Sequence, residues 1–206
     1  MLFSCTFLAT MVVIFLFHPG FSAGWQWDLL QGLGYCAIAI WFYLIIDTGK
    51  AGSRAHQTLS IAAFGCACGH TLGLLLIDPT LWHYLTLDGA GYMLAGLFAL
   101  SVMATSLLLA LPTRRRRWHP NYRHFRTWHK VLTWAALLGL AWHILESGAY
   151  LNRWGFWVLT AACMVLIACN WLTTNRGTRG LSPDFHPRHL ATIPIGLVLF
   201  VAARQF

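Results

Sequence analysis

The chain has 206 residues, 58% of them hydrophobic and only 10% charged. Soluble domains carry about 25% charged residues, so the composition excludes an ordinary soluble enzyme and points to a membrane protein. The net charge of +8 would raise nucleic acid as a partner in a soluble chain, but here the basic residues are segregated by loop and no nucleic-acid partner is expected.

Uncharged apolar runs lie near residues 2–17, 29–46, 57–77, 89–111, 131–145, 154–172 and 190–203. A membrane-crossing helix needs about 20 residues. The first run is short, and FSAG at 21–24 has the look of a small-residue cleavage site. Secretory signals start with positive charge, and MLFSCTF has none, so an uncleaved first helix is expected. The second, third, fourth and sixth runs are long enough as they stand. The fifth reaches spanning length if its helix starts in the basic loop near Arg126. The seventh stays open between a partial span, an interfacial segment and a contact for a partner.

Basic residues follow the second run (Lys50, Arg54), the fourth (RRRRWHPNYRHFR, 114–126) and the sixth (Arg176, Arg179, Arg188). The alternate loops hold Asp28, then Asp78 and Asp88, then Glu146 with Arg153. Positive loops stay in the cytoplasm, so the N-terminus is expected inside. Trp25, Trp27, Trp82, Tyr84, Trp154 and Trp157 mark outer run ends, and Trp118, Trp128 and Trp171 inner ones, as an aromatic belt requires. The expected fold class is all-α: a polytopic membrane helix bundle of six transmembrane helices, with a short seventh C-terminal apolar segment. Residues 1–175 form the transmembrane domain, and 176–206 a cytoplasmic basic segment plus that apolar segment.

Cys5, Cys36, Cys66, Cys68, Cys163 and Cys169 all fall inside apolar runs and read as small buried hydrophobes. No disulfide framework follows. No GxGxxG follows a strand and there is no P-loop, so the chain has no recognisable nicotinamide or flavin module of its own.

Two runs are bracketed by histidine: HQTLSIAAFGCACGH at 56–70 and HKVLTWAALLGLAWH at 129–143. At 100° per residue, 14 steps fall about 40° short of four turns, so each pair shares one helix face, about 21 Å apart along the axis. Both helices leave the cytoplasm and are therefore parallel. Packed face to face, they set His56 level with His129 and His70 level with His143. Two facing imidazoles are the axial ligand set of a six-coordinate b-type haem. Two such centres, between the third and fifth helices, would divide a hydrocarbon core about 30 Å thick. The positions between the histidines are Ser60, Ala63 and Ala67 on one helix and Thr133, Ala136 and Leu140 on the other. All but Leu140 are small, which suits a flat macrocycle. Gly65, Gly69 and Gly73 form a small-xxx-small ridge that serves either haem clearance or close helix packing.

Polar side chains inside a span are costly and suggest function. The competing readings are four packing histidines, or a zinc or copper site, which would want further ligands. Arg54, Arg123, Arg126 and Lys130 flank the inner pair. They either meet haem propionates, since guanidinium suits carboxylate, or only set topology. His18, His119, His124, His186 and His189 are expected in solvated or interfacial positions. His83, in LWHYL on the outer side, is either solvated like these or a contact for an acceptor.

On these residues the chain resembles the ferric-reductase-like transmembrane domain. This six-helix, two-haem core is shared by NADPH oxidases, ferric reductases and the haem-binding membrane subunit of the periplasmic methionine sulfoxide reductase system. The likeness covers about residues 28–172. It is most specific in YRHFRTWHKVLTWAALLGLAWH (122–143) and HQTLSIAAFGCACGH. It implies that His56, His70, His129 and His143 ligate two haem b groups. It also implies a multi-pass protein of the bacterial inner membrane, an electron-transfer subunit of an oxidoreductase system. The donor would be a cytoplasmic flavin reductase carrying FMN or FAD. The acceptor would be an extracytoplasmic oxidoreductase, such as a methionine sulfoxide reductase, or a small acceptor such as ferric iron or oxygen. There are departures. The oxidases and ferric reductases fuse a flavin and nicotinamide domain after the sixth helix, whereas this chain ends soon after it, which favours a stand-alone subunit. That subunit does not always keep all four histidines. The family's fifth helix often has one residue fewer between its histidines, a difference that rotates His143 by about 100°. A quinol-fed cytochrome b and a non-redox helical protein, such as a transporter or scaffold, are the rival readings.

Overall fold

The computed structural model describes residues 2–17, 23–46, 54–86, 88–111, 121–147 and 190–205, all of them helix or short connection. The α-helices are α1 (Leu2–Phe17), α2 (Trp25–Ile46), α3 (Arg54–Ile77), α4 (Gly91–Ala110), α5 (Tyr122–Glu146) and α6 (Thr192–Arg204), with a 3₁₀ helix at Pro79–Leu85. Three of them, Trp25–Ile45, Arg54–Ile77 and Gly91–Ala110, are long and apolar enough to cross a membrane, while α1 and α6 are shorter apolar helices. The sixth apolar run (154–172) and most of the basic loop lie outside the described residues.

Local chemistry sets the helix ends. Gly24 adopts φ 110°, a left-handed conformation open to glycine at little cost, and its carbonyl accepts from Asp28 N at 3.1 Å to open α2. Asp78 caps the 3₁₀ helix, accepting from Thr80 N at 2.9 Å and Thr80 Oγ1 at 2.6 Å. Asn121 caps α5 by accepting from Arg123 N at 2.9 Å. α5 therefore begins at Tyr122, a turn before the expected start near Arg126, and carries Arg123, Arg126 and Lys130 in its first turns.

The chain divides into two units, Met1–Leu74 with Ala149–Phe206, and Leu75–Gly148. In the first unit Phe3, Phe7, Cys36, Ile40 and Leu59 are fully buried. The Phe3 ring meets Tyr43 edge-on at 5.1 Å, joining α1 to α2. The C-terminal run is a helix packed against both. Phe200 lies edge-on to Tyr35 at 5.5 Å and to Phe15 at 6.2 Å. Gly32 admits Leu197 and Phe200, and Gly196 admits Phe7. These contacts make α6 antiparallel to α2 and parallel to α1. At its end Arg204 Nε donates to Asp28 Oδ1 at 2.8 Å and Gln205 Nε2 donates to Asp28 Oδ2 at 2.8 Å.

In the second unit α4 and α5 form an antiparallel hairpin. A Cβ on Gly139 would lie 3.0 Å from the Ala95 carbonyl oxygen and 3.1 Å from Phe98 Cδ1. Overpacking such a contact typically costs about 1–3 kcal/mol. Gly139→Val is expected to lower stability by that amount in thermal or denaturant unfolding. Leu138→Val, next to it but 69% exposed, should change stability by no more than about 0.5 kcal/mol.

Candidate functional site

Each of the four bracketing histidines can be followed from its helix to its partners. His56 and His70 stand on α3 in the first unit, and His129 and His143 on α5 in the second. His70 Nδ1 lies 3.0 Å from the Leu30 carbonyl oxygen on α2. His143 Nδ1 lies 2.9 Å from the Tyr92 carbonyl oxygen on α4. A carbonyl only accepts, so in both cases Nδ1 carries the proton and donates. In the neutral ring the lone pair then sits on Nε2, and the ring's shape directs Nε2 away from the helix that holds Nδ1. Among the described residues, the His143 ring has no hydrogen-bond partner other than Tyr92.

His129 is held differently. Its Nδ1 is 2.9 Å from Ser106 Oγ on α4, and its ring stacks on Phe125, one turn earlier on α5, at 5.4 Å and 24°. A hydroxyl both donates and accepts, so this contact fixes the ring's direction and leaves the tautomer to whatever Nε2 meets. The 14-residue step from Tyr92 to Ser106 on α4 matches the 14-residue step from His129 to His143 on α5. Both rings consequently aim Nδ1 at one helix, α4.

His56 is half-buried near the start of α3. One turn beyond each inner histidine a hydroxyl folds back on its own helix: Ser60 Oγ donates to the His56 carbonyl at 2.7 Å, and Thr133 Oγ1 to the His129 carbonyl at 2.8 Å. Their polarity is satisfied within the helix, so the stripe between the histidines remains apolar. Ala63 and Ala136, the next positions along it, are 0% and 1% exposed.

The glycine ridge divides. A Cβ on Gly69 would meet Leu33, and one on Gly73 would press on Leu30, so these two serve the packing of α3 on α2. Nothing stands within 4 Å of a Cβ on Gly65. Arg54, Arg123, Arg126 and Lys130 are all exposed at the starts of α3 and α5. His83 is exposed on the 3₁₀ helix and His124 on α5, while His18, His119, His186 and His189 lie outside the described residues. Among the described residues no group of three or more His, Cys, Asp or Glu side chains converges as a metal site would require. A six-coordinate haem iron asks the protein for two imidazoles only.

Sequence reasoning missed the partners of these rings. Two are backbone carbonyls, which carry no residue signature. Ser106 is a serine within an apolar run, and it becomes informative only once α4 and α5 are paired.

The chain matches no family model, and comparisons with curated proteins and with solved structures find no relative. The resemblance to the ferric-reductase-like domain therefore rests on the residues of α3 and α5 themselves.

Proposed function

We propose that this chain is a transmembrane cytochrome b, a six-span bundle that relays electrons from a cytoplasmic flavin reductase to an extracytoplasmic acceptor through two b-type haems. The observation that carries this reading is the pair of Nδ1–H···O=C bonds at His70 and His143. Metal-ligating histidines commonly donate their second ring nitrogen to a carbonyl, which fixes the tautomer and raises ligand basicity. A histidine kept only for packing would be expected to use both nitrogens, and His143 uses one among the described residues.

A bound haem supplies a one-electron iron couple, tuned by its axial ligands and their hydrogen bonds. The chain's own residues do the rest. His56 with His129, and His70 with His143, are the proposed ligand pairs; this pairing comes from their spacing and from the expected orientation of α3 and α5. The Leu30 and Tyr92 carbonyls hold the outer rings, and Ser106 and Phe125 hold His129. Ser60 and Thr133 keep their hydroxyls turned into the helix, so the stripe presented to a macrocycle is apolar. Arg54 at the start of α3, and Arg123, Arg126 and Lys130 at the start of α5, are exposed cations suited to propionates and to an acidic face of the donor. FMN or FAD would reside in that partner. A periplasmic enzyme that repairs methionine sulfoxide is the proposed acceptor.

The test is an absorption spectrum of the purified protein, oxidised and dithionite-reduced, with haem quantified per chain. Sharp reduced b-type bands and about two haems per chain are expected. A colourless protein after expression with ample haem would overturn the reading in favour of a non-redox helical protein. Reduction by a quinol analogue but not by reduced flavin would replace the flavin donor with quinol.

A further inference from the structure

The two outer histidines are held by one device used twice. His70 bonds the carbonyl of Leu30, and the residue four positions on from Leu30 is Gly34. His143 bonds the carbonyl of Tyr92, and the residue four positions on from Tyr92 is Gly96. In an α-helix the carbonyl of residue i accepts from the N–H of residue i+4, and every Cβ tilts towards the helix N-terminus. A side chain at i+4 therefore projects over the carbonyl of i, where an outside donor must approach. Here that space is taken by an imidazole. A Cβ on Gly34 would lie 3.0, 3.1 and 3.3 Å from Nδ1, Cγ and Cε1 of His70. A Cβ on Gly96 would lie 2.8, 3.0 and 3.2 Å from the same three atoms of His143. The atoms and their order agree in two units that share no sequence motif at these positions beyond the glycine.

We infer that Gly34 and Gly96 are positioning residues whose missing side chains let the His70 and His143 rings reach the helix carbonyls, which locks both rings as the Nδ1–H tautomer with Nε2 as the donor atom. Other glycines of the bundle do a different job. Gly32 admits the apolar side chains of Leu197 and Phe200, and Gly139 admits the Ala95 carbonyl and Phe98. The role of the device in haem ligation rests on the function proposed above, but the tautomer itself does not.

The test uses full-length protein labelled with ¹⁵N-histidine, purified without haem and studied at alkaline pH where imidazoles are neutral. Ring ¹⁵N spectra distinguish Nδ1–H from Nε2–H, and His70→Gln and His143→Gln assign the signals. In the unsubstituted protein both rings should be Nδ1–H. Gly34→Ala should abolish that signal for His70 alone, and Gly96→Ala for His143 alone, while Gly32→Ala changes neither. Either ring found as Nε2–H in the unsubstituted protein would overturn the inference, even if an alanine variant failed to fold. So would two folded alanine variants with unchanged ring signals. The same variants loaded with haem give a second readout, in which each should perturb the low-spin electron paramagnetic resonance signal of the outer haem and leave the inner one unchanged. Tautomers as expected in a protein that takes up no haem would sink the cytochrome reading and leave the positioning role standing.

Discussion

His143→Ala is expected to reduce haem content from about two per chain to about one, with loss of one low-spin signal and retention of the other. The proposed outer haem would lose one of the two histidines that would hold it, and an alanine cannot replace it. The fold should survive. The ring makes a single hydrogen bond among the described residues, to the Tyr92 carbonyl, and such a bond is worth about 1 kcal/mol net. That carbonyl keeps its helical donor after the substitution. The decisive comparison is with His70→Ala, which removes the opposite ligand of the proposed pair and should give the same spectrum. His56→Ala and His129→Ala should remove the other centre instead. Haem stoichiometry with paramagnetic resonance reads all four variants. Two haems and two unaltered signals in His143→Ala would show that this residue is not a ligand. Different spectra from the His70 and His143 variants would show that the two do not share an iron.

The second large effect is expected at Asp28. Its carboxylate is 4% exposed and the Arg204 side chain 9% exposed, and their 2.8 Å bond joins residues 176 apart in sequence. Both carboxylate oxygens are occupied, one by Arg204 and the other by Gln205. Breaking a buried pair from one side costs about 3–5 kcal/mol, because the surviving charge stays buried without compensation. Asp28→Asn keeps one acceptor for Arg204 and removes the charge, so a loss near the lower end, about 3 kcal/mol, is expected in denaturant unfolding. The double variant Asp28→Leu/Arg204→Met should recover most of that loss, since apolar residues often replace such pairs without penalty. If Asp28→Asn unfolds together with the parent protein, the pair does not hold α6 in place.

How much of this was legible in the sequence differs from element to element. Apolar length located α1 to α4 within a few residues, because a bilayer-spanning or buried helix must be uncharged through its middle. The start of α5 was placed late because the basic residues looked like loop; Asn121 supplies the cap that lets the helix run through them. α6 could not be assigned from its length alone. What makes it a packed helix is distant in sequence: Gly32, Phe7 and the Asp28 carboxylate. The 14-residue period of the four histidines is visible in the sequence because it repeats on one helix face; their role as ligands is the proposal. Their partners were hidden because carbonyls are common to every residue. The roles of Gly34 and Gly96 were hidden as well, since a glycine in an apolar helix reads as packing until the neighbouring ring is in view.

The clamp between α2 and α6 also bears on how the chain is made. α1 and α2 emerge from the ribosome well before α6, yet all three belong to one unit. At about 5–20 residues per second, roughly ten seconds or more of synthesis separate them. Through that interval Phe7, Gly32, Tyr35 and the Asp28 carboxylate are without the helix that covers them in the finished protein. The α4–α5 hairpin needs no such delay, because its two helices are neighbours in the chain. The second unit can thus acquire its histidine contacts before the first is complete, and Arg204 and Gln205, made long after α2, are the residues that close on Asp28.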